Sequence, residues 1–348
     1  MVNPSPKMHF PLVQALRGVA ALWVVLFHAR EGGHIDQLFA ALPPLVGQVL
    51  FEQGYLGVPI FFALSGFVIA HSLRDVQLSP GTFGKFFLRR SLRLDPPYWA
   101  SIVVVLVLSF VSARVKHESF AFPGPGDILA HIGYVQVLLH VKEINPAYWT
   151  LTYEIQFYLF FAAALTLGMM LGKRWTPVVW SIMYLMALVS AAQGMSWLAP
   201  GLFPQLWAAF FAGVLAYKGI ESPLARWMAL PLVLPMLWTR DVFMLTSSAT
   251  ALLLWITSSV SQSVREHRWP VLERLGLISY SLYLMHNPIT GAAGFVSRKL
   301  FGQSILADTA TLLIILVASC VGATLFWWAV ERPSHNLSRR IRLDARKR

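Results

Sequence analysis

Two ionisable residues, Arg17 and His28, interrupt an otherwise apolar segment near the start of the chain, LVQALRGVAALWVVLFHAR. They are eleven residues apart, which places them on nearly the same face of a helix and about 16 Å apart along its axis. Because ionisable side chains are unfavourable in lipid, such a pair predicts a polar cavity between membrane helices. In an alternative interpretation, Arg17 extends to the lipid headgroups and His28 lies in the opposite interface.

A carboxylate is expected at a depth similar to that of His28. Glu154 lies about two turns into the apolar segment NPAYWTLTYEIQFYLFF, and a buried carboxylate needs a partner. We expect His28 to act as a general base on a hydroxyl or as a transient acyl acceptor. Glu154 would then fix the tautomer of His28 or stabilise its cationic form. A purely structural hydrogen bond is the alternative role for Glu154.

A polar stripe on a later segment is expected to face the same region. In LGLISYSLYLMHNPITGAAGF, Ser279, Tyr283 and His286 follow one another at helical spacing on one face. Ser65 is also expected near mid-membrane, but no nucleophile elbow surrounds it, so a serine hydrolase is not indicated. The candidate substrate-pocket residues are Ser65, Trp149, Tyr283 and His286. For His286, a hydrogen bond between helices is an equally good explanation.

A cluster of basic residues, GKFFLRRSLR, precedes the third apolar segment. Arg90 and Arg93 in this cluster are one helical turn apart and can point to one side. Guanidinium groups bind phosphate oxygens bidentately. Together with Arg17, these two residues predict a site for a phosphorylated cytosolic ligand. An ordinary cluster of cytoplasmic positive charge is the alternative.

Composition indicates which elements must position these residues. The chain has 348 residues, of which 56% are hydrophobic and 13% are charged, about half the charged fraction of a soluble protein. Its mean hydropathy is +0.59. We therefore predict an all-α polytopic integral membrane protein with about ten transmembrane helices. The predicted spans are 12–30, 54–73, 96–113, 147–172, 176–193, 203–219, 225–239, 242–260, 275–297 and 308–331, the third beginning at Pro96-Pro97.

The distribution of positive charge predicts the orientation of these spans. With both termini cytoplasmic, 21 of the 28 Lys and Arg residues lie inside and 7 outside, as the positive-inside rule requires. A further span over 127–142 would reverse this bias, so that segment is predicted to be an outer-side interfacial or re-entrant helix. Segments 225–239 and 242–260 are kept as two spans for the same reason. This placement also accounts for the net charge of +12 without a nucleic-acid partner.

The remaining features are predicted to be structural. Cys320 is the single cysteine, so neither an internal disulfide nor a cysteine-based zinc site is expected. Glu331 and Arg332 are predicted to form an ion pair at the end of the last helix. Residues 336–348 are predicted to be a basic cytoplasmic tail that faces lipid headgroups. No metal site is predicted.

The order of these motifs resembles the membrane acyltransferase-3 family, whose members O-acylate sugars. The resemblance covers roughly residues 10–335 and implies one membrane domain over 1–335. A soluble SGNH-type domain, which some relatives carry, is not expected here. The resemblance to the family rests on the motifs LRGVAALWVVLFHA, GVPIFFALSGFVI, FLRRSLRLDPPYW, YWTLTYEIQFYLF, ISYSLYLMHNPI and the terminal VERP.

The resemblance implies a specific reaction in the bacterial cytoplasmic (inner) membrane. Acyl-CoA, expected to be acetyl-CoA, would bind from the cytoplasmic side as a donor substrate, with Arg17, Arg90 and Arg93 near its phosphates. The acyl group would reach His28 and pass to a hydroxyl of a carbohydrate, either lipid-linked or a finished polysaccharide. No permanently bound cofactor is implied. A separate glycan-biosynthesis or acyl-transfer protein is a candidate partner, besides the membrane lipids.

Two other function classes are compatible with the sequence. A membrane transporter of a polar solute would also carry Arg, His and Glu residues within its helices, but it would need no acyl donor. A non-catalytic membrane binding or sensory protein could retain the same fold. Dependence on an acyl donor is the property that separates the enzyme from both alternatives.

Overall fold

The computed structural model describes residues 10–193, 195, 197–259 and 267–343. The described residues are predominantly helical and contain no β-strand. The helices are α1 (Pro11–Glu31), α2 (Asp36–Ala41), α3 (Pro44–Leu50), α4 (Gly57–Leu73), α5 (Pro80–Lys116), α6 (Pro125–Ile132), α7 (Trp149–Met170), α8 (Thr176–Ala191), α9 (Trp207–Glu221), α10 (Pro223–Thr239), α11 (Val242–Ser259), α12 (Pro270–Leu277), α13 (Ser279–Phe301), α14 (Ile305–Phe326) and α15 (Arg332–Ser338). Glu52–Leu56 and Phe203–Leu206 form 3₁₀ turns, and Trp327–Glu331 forms a π-helical turn.

Six helical runs among the described residues are long and apolar enough to cross a membrane. These runs are Pro11–Glu31, Pro44–Leu73, Pro80–Lys116, Trp149–Met170, Val242–Ser259 and Ile305–Ser338. Each of the ten predicted segments overlaps a helix, which confirms the all-α multi-pass architecture. Segment 275–297 crosses the break between α12 and α13, and residue 260 lies outside the described residues. The count of ten spans and the orientation of the termini stay predictions.

Two of the other helices, α9 and α13, do not meet this criterion of length and apolar character, and the reasons differ. Helix α9 has only 15 residues, most of them buried, so it is a core helix of the bundle. Helix α13 has 23 residues and is long enough, but its polar stripe and its Arg298 and Lys299 lower its hydropathy. The polar side chains that make α13 a candidate for the functional site thus also lower its mean hydropathy.

Helix α5 begins well before the predicted start of the third span. Ser79 caps it by accepting a hydrogen bond from the Thr82 amide at 3.2 Å, and Pro80 fits the first turn. The helix then continues for 37 residues through Pro96 and Pro97. The expectation that these prolines begin the helix is therefore wrong. The basic cluster lies on a continuous helix and not in a loop.

The segment 127–142 is only partly the helix that was expected. Helix α6 ends at Ile132, because Tyr134 adopts a left-handed conformation with φ of 58°. Tyr134 then stacks on Tyr98 at 4.7 Å and donates a hydrogen bond to Asp95 at 2.9 Å. Gln136 is fully buried. The helix therefore covers only the first part of the segment, and the expectation of a helix over all of 127–142 is wrong. Its interfacial or re-entrant position on the outer side stays a prediction.

Helices α10 and α11 are separate, as predicted for segments 225–239 and 242–260. Arg240 adopts a left-handed conformation with φ of 52° between them. Asp241 then accepts a hydrogen bond from the Met244 amide at 3.1 Å and caps α11. The break places two helices here instead of one long span.

Helices α4 and α9 touch through their backbones. A Cβ atom added to Gly66 would lie 1.9 Å from the Phe210 carbonyl oxygen, and one added to Gly213 would lie 1.8 Å from that of Ala63. Small residues allow membrane helices to approach this closely. This contact fixes α4, and with it Ser65, against the core of the bundle.

Candidate active site

A cavity of about 70 Å³ lies between α1, α4, α5, α7 and α13; we call it the arginine cavity. This volume corresponds to about two or three water molecules. It brings together six of the predicted site residues. The polar and aromatic residues that line it are Arg17, Phe61, Phe62, Ser65, Arg90, Arg93, Thr150, Glu154, Tyr158, Ser279, Tyr280 and Tyr283.

Glu154 is the acceptor at the centre of a hydrogen-bond network in this cavity. The Ser65 hydroxyl donates to Glu154 Oε1 at 2.6 Å, and the Tyr158 hydroxyl donates to the same oxygen. Tyr158 also lies 3.1 Å from Ser65 Oγ. The expectation that Glu154 orients His28 is therefore wrong. Glu154 instead organises groups on the same side of the bundle as the arginines.

Arg17 and Arg90 are held by different contacts. The Arg90 guanidinium lies 4.5 Å from the centre of the Tyr158 ring, a cation–π contact. Arg17 Nε donates to Ser279 Oγ at 3.1 Å and interacts electrostatically with Arg93. These contacts leave guanidinium groups converging on one small space, which favours an anionic ligand.

Glu331 supplies a second carboxylate near Arg17. It is buried and accepts hydrogen bonds from the Ser281 amide at 3.1 Å and the Ser281 hydroxyl at 2.5 Å. Arg332 lies over the Trp327 ring at 5.6 Å. The predicted Glu331–Arg332 ion pair is therefore wrong, because the π-helical turn directs Glu331 into the bundle.

His28 lies at a second cavity, of about 440 Å³, which we call the histidine cavity. Glu31 Oε2 lies 2.7 Å from His28 Nδ1, so Nδ1 carries the proton and Nε2 keeps its lone pair. Glu31 thus has the orienting contact that was expected of Glu154. The lining residues are His28, Glu31, Gly32, His34, Lys116, Asn287, Thr290, Gly291, Phe295 and Arg298.

Three aromatic rings connect the two cavities. Tyr283 lines the arginine cavity, and its ring lies 5.9 Å from that of His286. The His286 ring in turn lies 5.0 Å from that of His28. His286 donates through Nδ1 to the Tyr283 carbonyl oxygen at 2.8 Å, while its buried Nε2 has no partner among the described residues.

The same three helices build both cavities. At the arginine cavity, α1 contributes Arg17, α5 contributes Arg90 and Arg93, and α13 contributes Ser279 and Tyr283. At the histidine cavity, α1 contributes His28, α5 contributes Lys116, and α13 contributes Arg298. The two sites are therefore displaced along the helix axes, with the ring series between them.

Sequence reasoning missed several lining residues and included two, Trp149 and His286, that are not among the described lining residues of either cavity. Trp149 packs edge-on against Tyr153 at 5.8 Å. Tyr158 was missed, although its i+4 spacing from Glu154 indicates a shared helix face. Lys116 and Arg298 carried no local signal, since their relation to His28 arises only from packing.

The family of acyltransferase domains matches residues 12–332 of the chain. "Protein 2 in picA locus" of Rhizobium radiobacter is 38% identical over 117 residues, which are 32% of this chain and 49% of that protein. "Putative O-acetyltransferase SACOL0978" of Staphylococcus aureus (strain COL) is 29% identical over 184 residues, 49% of this chain and 27% of that protein.

A viral protein shows a similar degree of likeness. "Putative acetyltransferase ORF330" of Acidianus two-tailed virus is 28% identical over 154 residues, 44% of this chain and 40% of that protein. The chain thus spans between 27% and 49% of the length of these three relatives. No solved structure shows a significant match to the chain.

Proposed function

The chain belongs to the acyltransferase-3 family, and from this premise we propose that it transfers an acetyl group from acetyl-CoA to a carbohydrate hydroxyl. The acceptor class we propose is a unit of a surface polysaccharide, a lipopolysaccharide or an exopolysaccharide. The site would operate across the bacterial inner membrane, with the donor on the cytoplasmic side. The names of two relatives, which describe acetyl transfer, support acetyl as the acyl group.

One observation carries the proposal: two chemically different cavities are joined by the Tyr283, His286 and His28 rings. Arginines suit the phosphates of an acyl-CoA, because their forked donors match phosphate oxygens. A histidine with a free Nε2 suits a hydroxyl acceptor, because it can accept the hydroxyl proton. A group-transfer enzyme needs both kinds of site, whereas a carrier of one solute does not.

The reaction follows from these roles. The acceptor hydroxyl gives its proton to His28 Nε2 as its oxygen forms a bond with the thioester carbonyl carbon. The carbon–sulfur bond then breaks, and the CoA thiolate takes up the proton. Glu31 holds the His28 ring at 2.7 Å and stabilises the transient imidazolium. Transfer through an acyl-His28 intermediate would use the same atoms in two steps.

The test is the ester-linked acetate that mild alkali releases from the purified surface glycans of the host. We compare wild type, a deletion strain, and deletion strains that express the wild-type chain, His28→Ala or His267→Ala at equal membrane levels. His267 is exposed and lies outside both cavities, so it is the matched histidine control. We expect acetate to disappear on deletion and to return with wild type and His267→Ala only.

One result would overturn the proposed role of His28, and another would overturn the proposed function. Full acetate with a properly inserted His28→Ala chain would remove His28 from the mechanism. Unchanged acetate in the deletion strain, together with uptake of an unmodified polar solute that the chain restores, would favour the transporter.

A further inference from the structure

The histidine cavity contains a lysine whose position the catalytic role of His28 does not explain. Lys116 lies at the end of α5, and its ammonium is 5.4 Å from the centre of the Phe295 ring. Both residues line the cavity. An aromatic face beside a cation provides an apolar surface and a charge within one binding site.

The charged groups around this cavity sum to a positive value. Glu31 is engaged by His28 at 2.7 Å. Asp36 is shared between Arg30 at 2.5 Å and Arg298 at 3.7 Å. Among the described lining residues, two cations, Lys116 and Arg298, thus face one carboxylate, Glu31, and no carboxylate of the described residues lies within ion-pair distance of Lys116.

The same positive charge affects the pKa of the adjacent His34 imidazole. His34 follows the end of α1 and lines the cavity. Burial lowers the pKa of His34 below its ordinary value, and the charges of Arg298 and Lys116 lower the pKa further. A neutral ring at this point adds a hydrogen-bonding group to the wall without cancelling the cations.

Buried polar atoms without partners lie in or beside this cavity. Thr290, which lines it, is almost fully buried, and its Oγ1 atom has no hydrogen-bond partner among the described residues. The same holds for His286 Nε2 on the preceding turn of α13. Such groups normally have partners. Because both atoms are enclosed by protein, a sugar hydroxyl can pair with Thr290 only when the Thr290 side chain rotates toward the cavity.

From these contacts we infer that the histidine cavity binds a hexose that carries a negative charge. Phe295 contacts the apolar face of the ring, Thr290 and Asn287 bind its hydroxyls, and Lys116 with Arg298 binds its carboxylate or phosphate group. These contacts support the binding site itself. The further statement that the bound sugar is the acyl acceptor rests on the proposed function above.

The experiment uses the full chain in nanodiscs of zwitterionic lipid and saturation-transfer-difference NMR, which detects weak sugar binding. The probes are methyl β-D-glucuronide, glucose 6-phosphate and the neutral methyl β-D-glucoside. We expect at least one anionic sugar to give a signal about fivefold stronger than the neutral sugar, as a single partly exposed ion pair would provide. The anionic sugar with the stronger signal identifies carboxylate or phosphate as the recognised group.

Variants locate the binding group. Lys116→Gln should abolish the preference for the anionic sugar, while Lys116→Arg should retain it. Lys299→Gln is the matched control, since Lys299 is exposed on α13 and lies outside the cavity. In the wild-type chain, which needs no substitution, raising the salt from about 50 mM to about 500 mM should also weaken the preference.

Equal signals from the charged and neutral sugars in wild type, or an unchanged preference in a folded Lys116→Gln chain, would overturn this inference. Its failure can be distinguished from failure of the proposed function. Acetate esters on glycans combined with a preference for the neutral sugar would overturn the inference alone. Binding of the anionic sugar without any transfer from acetyl-CoA would overturn the proposed function alone.

Discussion

At the scale of single residues, the face of α5 on which each arginine lies determines whether it lines the arginine cavity. Arg90 and Arg93 line it, whereas the neighbouring Arg89 is not among its described lining residues. All three have the same charge and lie within four residues of one another. Their comparison therefore separates a specific contact with the donor from general attraction of an anion to a basic helix.

We predict that Arg93→Ala raises the KM for acetyl-CoA by about tenfold, because one charge-assisted hydrogen bond to phosphate is lost. Arg89→Ala removes the same charge and should leave KM nearly unchanged. Initial rates at varied acetyl-CoA, measured on the purified chain in nanodiscs, check this. Equal changes in both variants would mean that the cluster acts only through its total charge.

Residue types and spacing predicted much of the candidate site. Arg17, Ser65, Arg90, Arg93, Glu154 and Tyr283 do line one cavity, because helical periodicity determines which face each residue occupies. The partners of these residues were less predictable. Glu154 and His28 share an expected depth, but lateral neighbours depend on how helices pack, and packing brings Ser65 to Glu154. Glu31, in contrast, is three residues from His28 on α1, so helical spacing could have indicated their contact.

At the scale of the helices, the close approach of α4 and α9 positions Ser65 beside Glu154. The approach is possible because Gly66 and Gly213 lack side chains where the partner backbones lie. Hydropathy predicted both helices, but it could not predict their contact, since many glycines in membrane helices have open space around them. Gly84, with nothing within 4 Å of an added Cβ atom, is an example in α5.

We predict that Gly66→Ala destabilises the chain by about 1–3 kcal/mol, because the added methyl group overlaps the Phe210 carbonyl oxygen. Gly84→Ala should be neutral or slightly stabilising, since alanine favours helix over glycine. Thermal unfolding in detergent, followed by tryptophan fluorescence, should show a lower Tm for Gly66→Ala only. A Tm equal to wild type would show that α4 and α9 can separate without loss of stability.

Helix boundaries were least predictable where local rules conflict. Pro96 and Pro97 normally indicate a helix start, but capping by Ser79 and burial of Tyr98 keep α5 continuous through them. The opposite occurs after α6, where the hydropathy of 127–142 suggested a helix and a left-handed Tyr134 ends it. In both places tertiary contacts outweigh the local preference.

At the scale of the whole molecule, the asymmetric distribution of positive charge predicts which ends of the helices face the cytoplasm. The arginine cavity lies at the end that this rule assigns to the cytoplasm, where acyl-CoA is available. The histidine cavity lies toward the opposite end of α1, α5 and α13. Residues 344–348 of the basic tail lie outside the described residues.

We predict that Lys142 faces the outer side of the membrane and Gln77 faces the cytoplasm, because the two residues flank the third span on opposite sides. In a Cys320→Ser background, which removes the single cysteine, each exposed position is replaced by cysteine. A membrane-impermeant maleimide should label Lys142→Cys in sealed right-side-out vesicles and Gln77→Cys only after detergent is added. Labelling of Gln77→Cys in sealed vesicles would reverse the proposed direction of transfer.

Among the described residues, the two cavities have no lining residue in common. Substitutions around Lys116 and Phe295 can therefore accumulate without altering the contacts made by Arg17, Arg90 and Arg93. Under the proposed function, such a division would allow a lineage to change the sugars that it acylates over evolutionary time while the residues that bind the acyl donor are inherited unchanged. It also gives protein engineers a bounded set of positions at which to exchange acceptors.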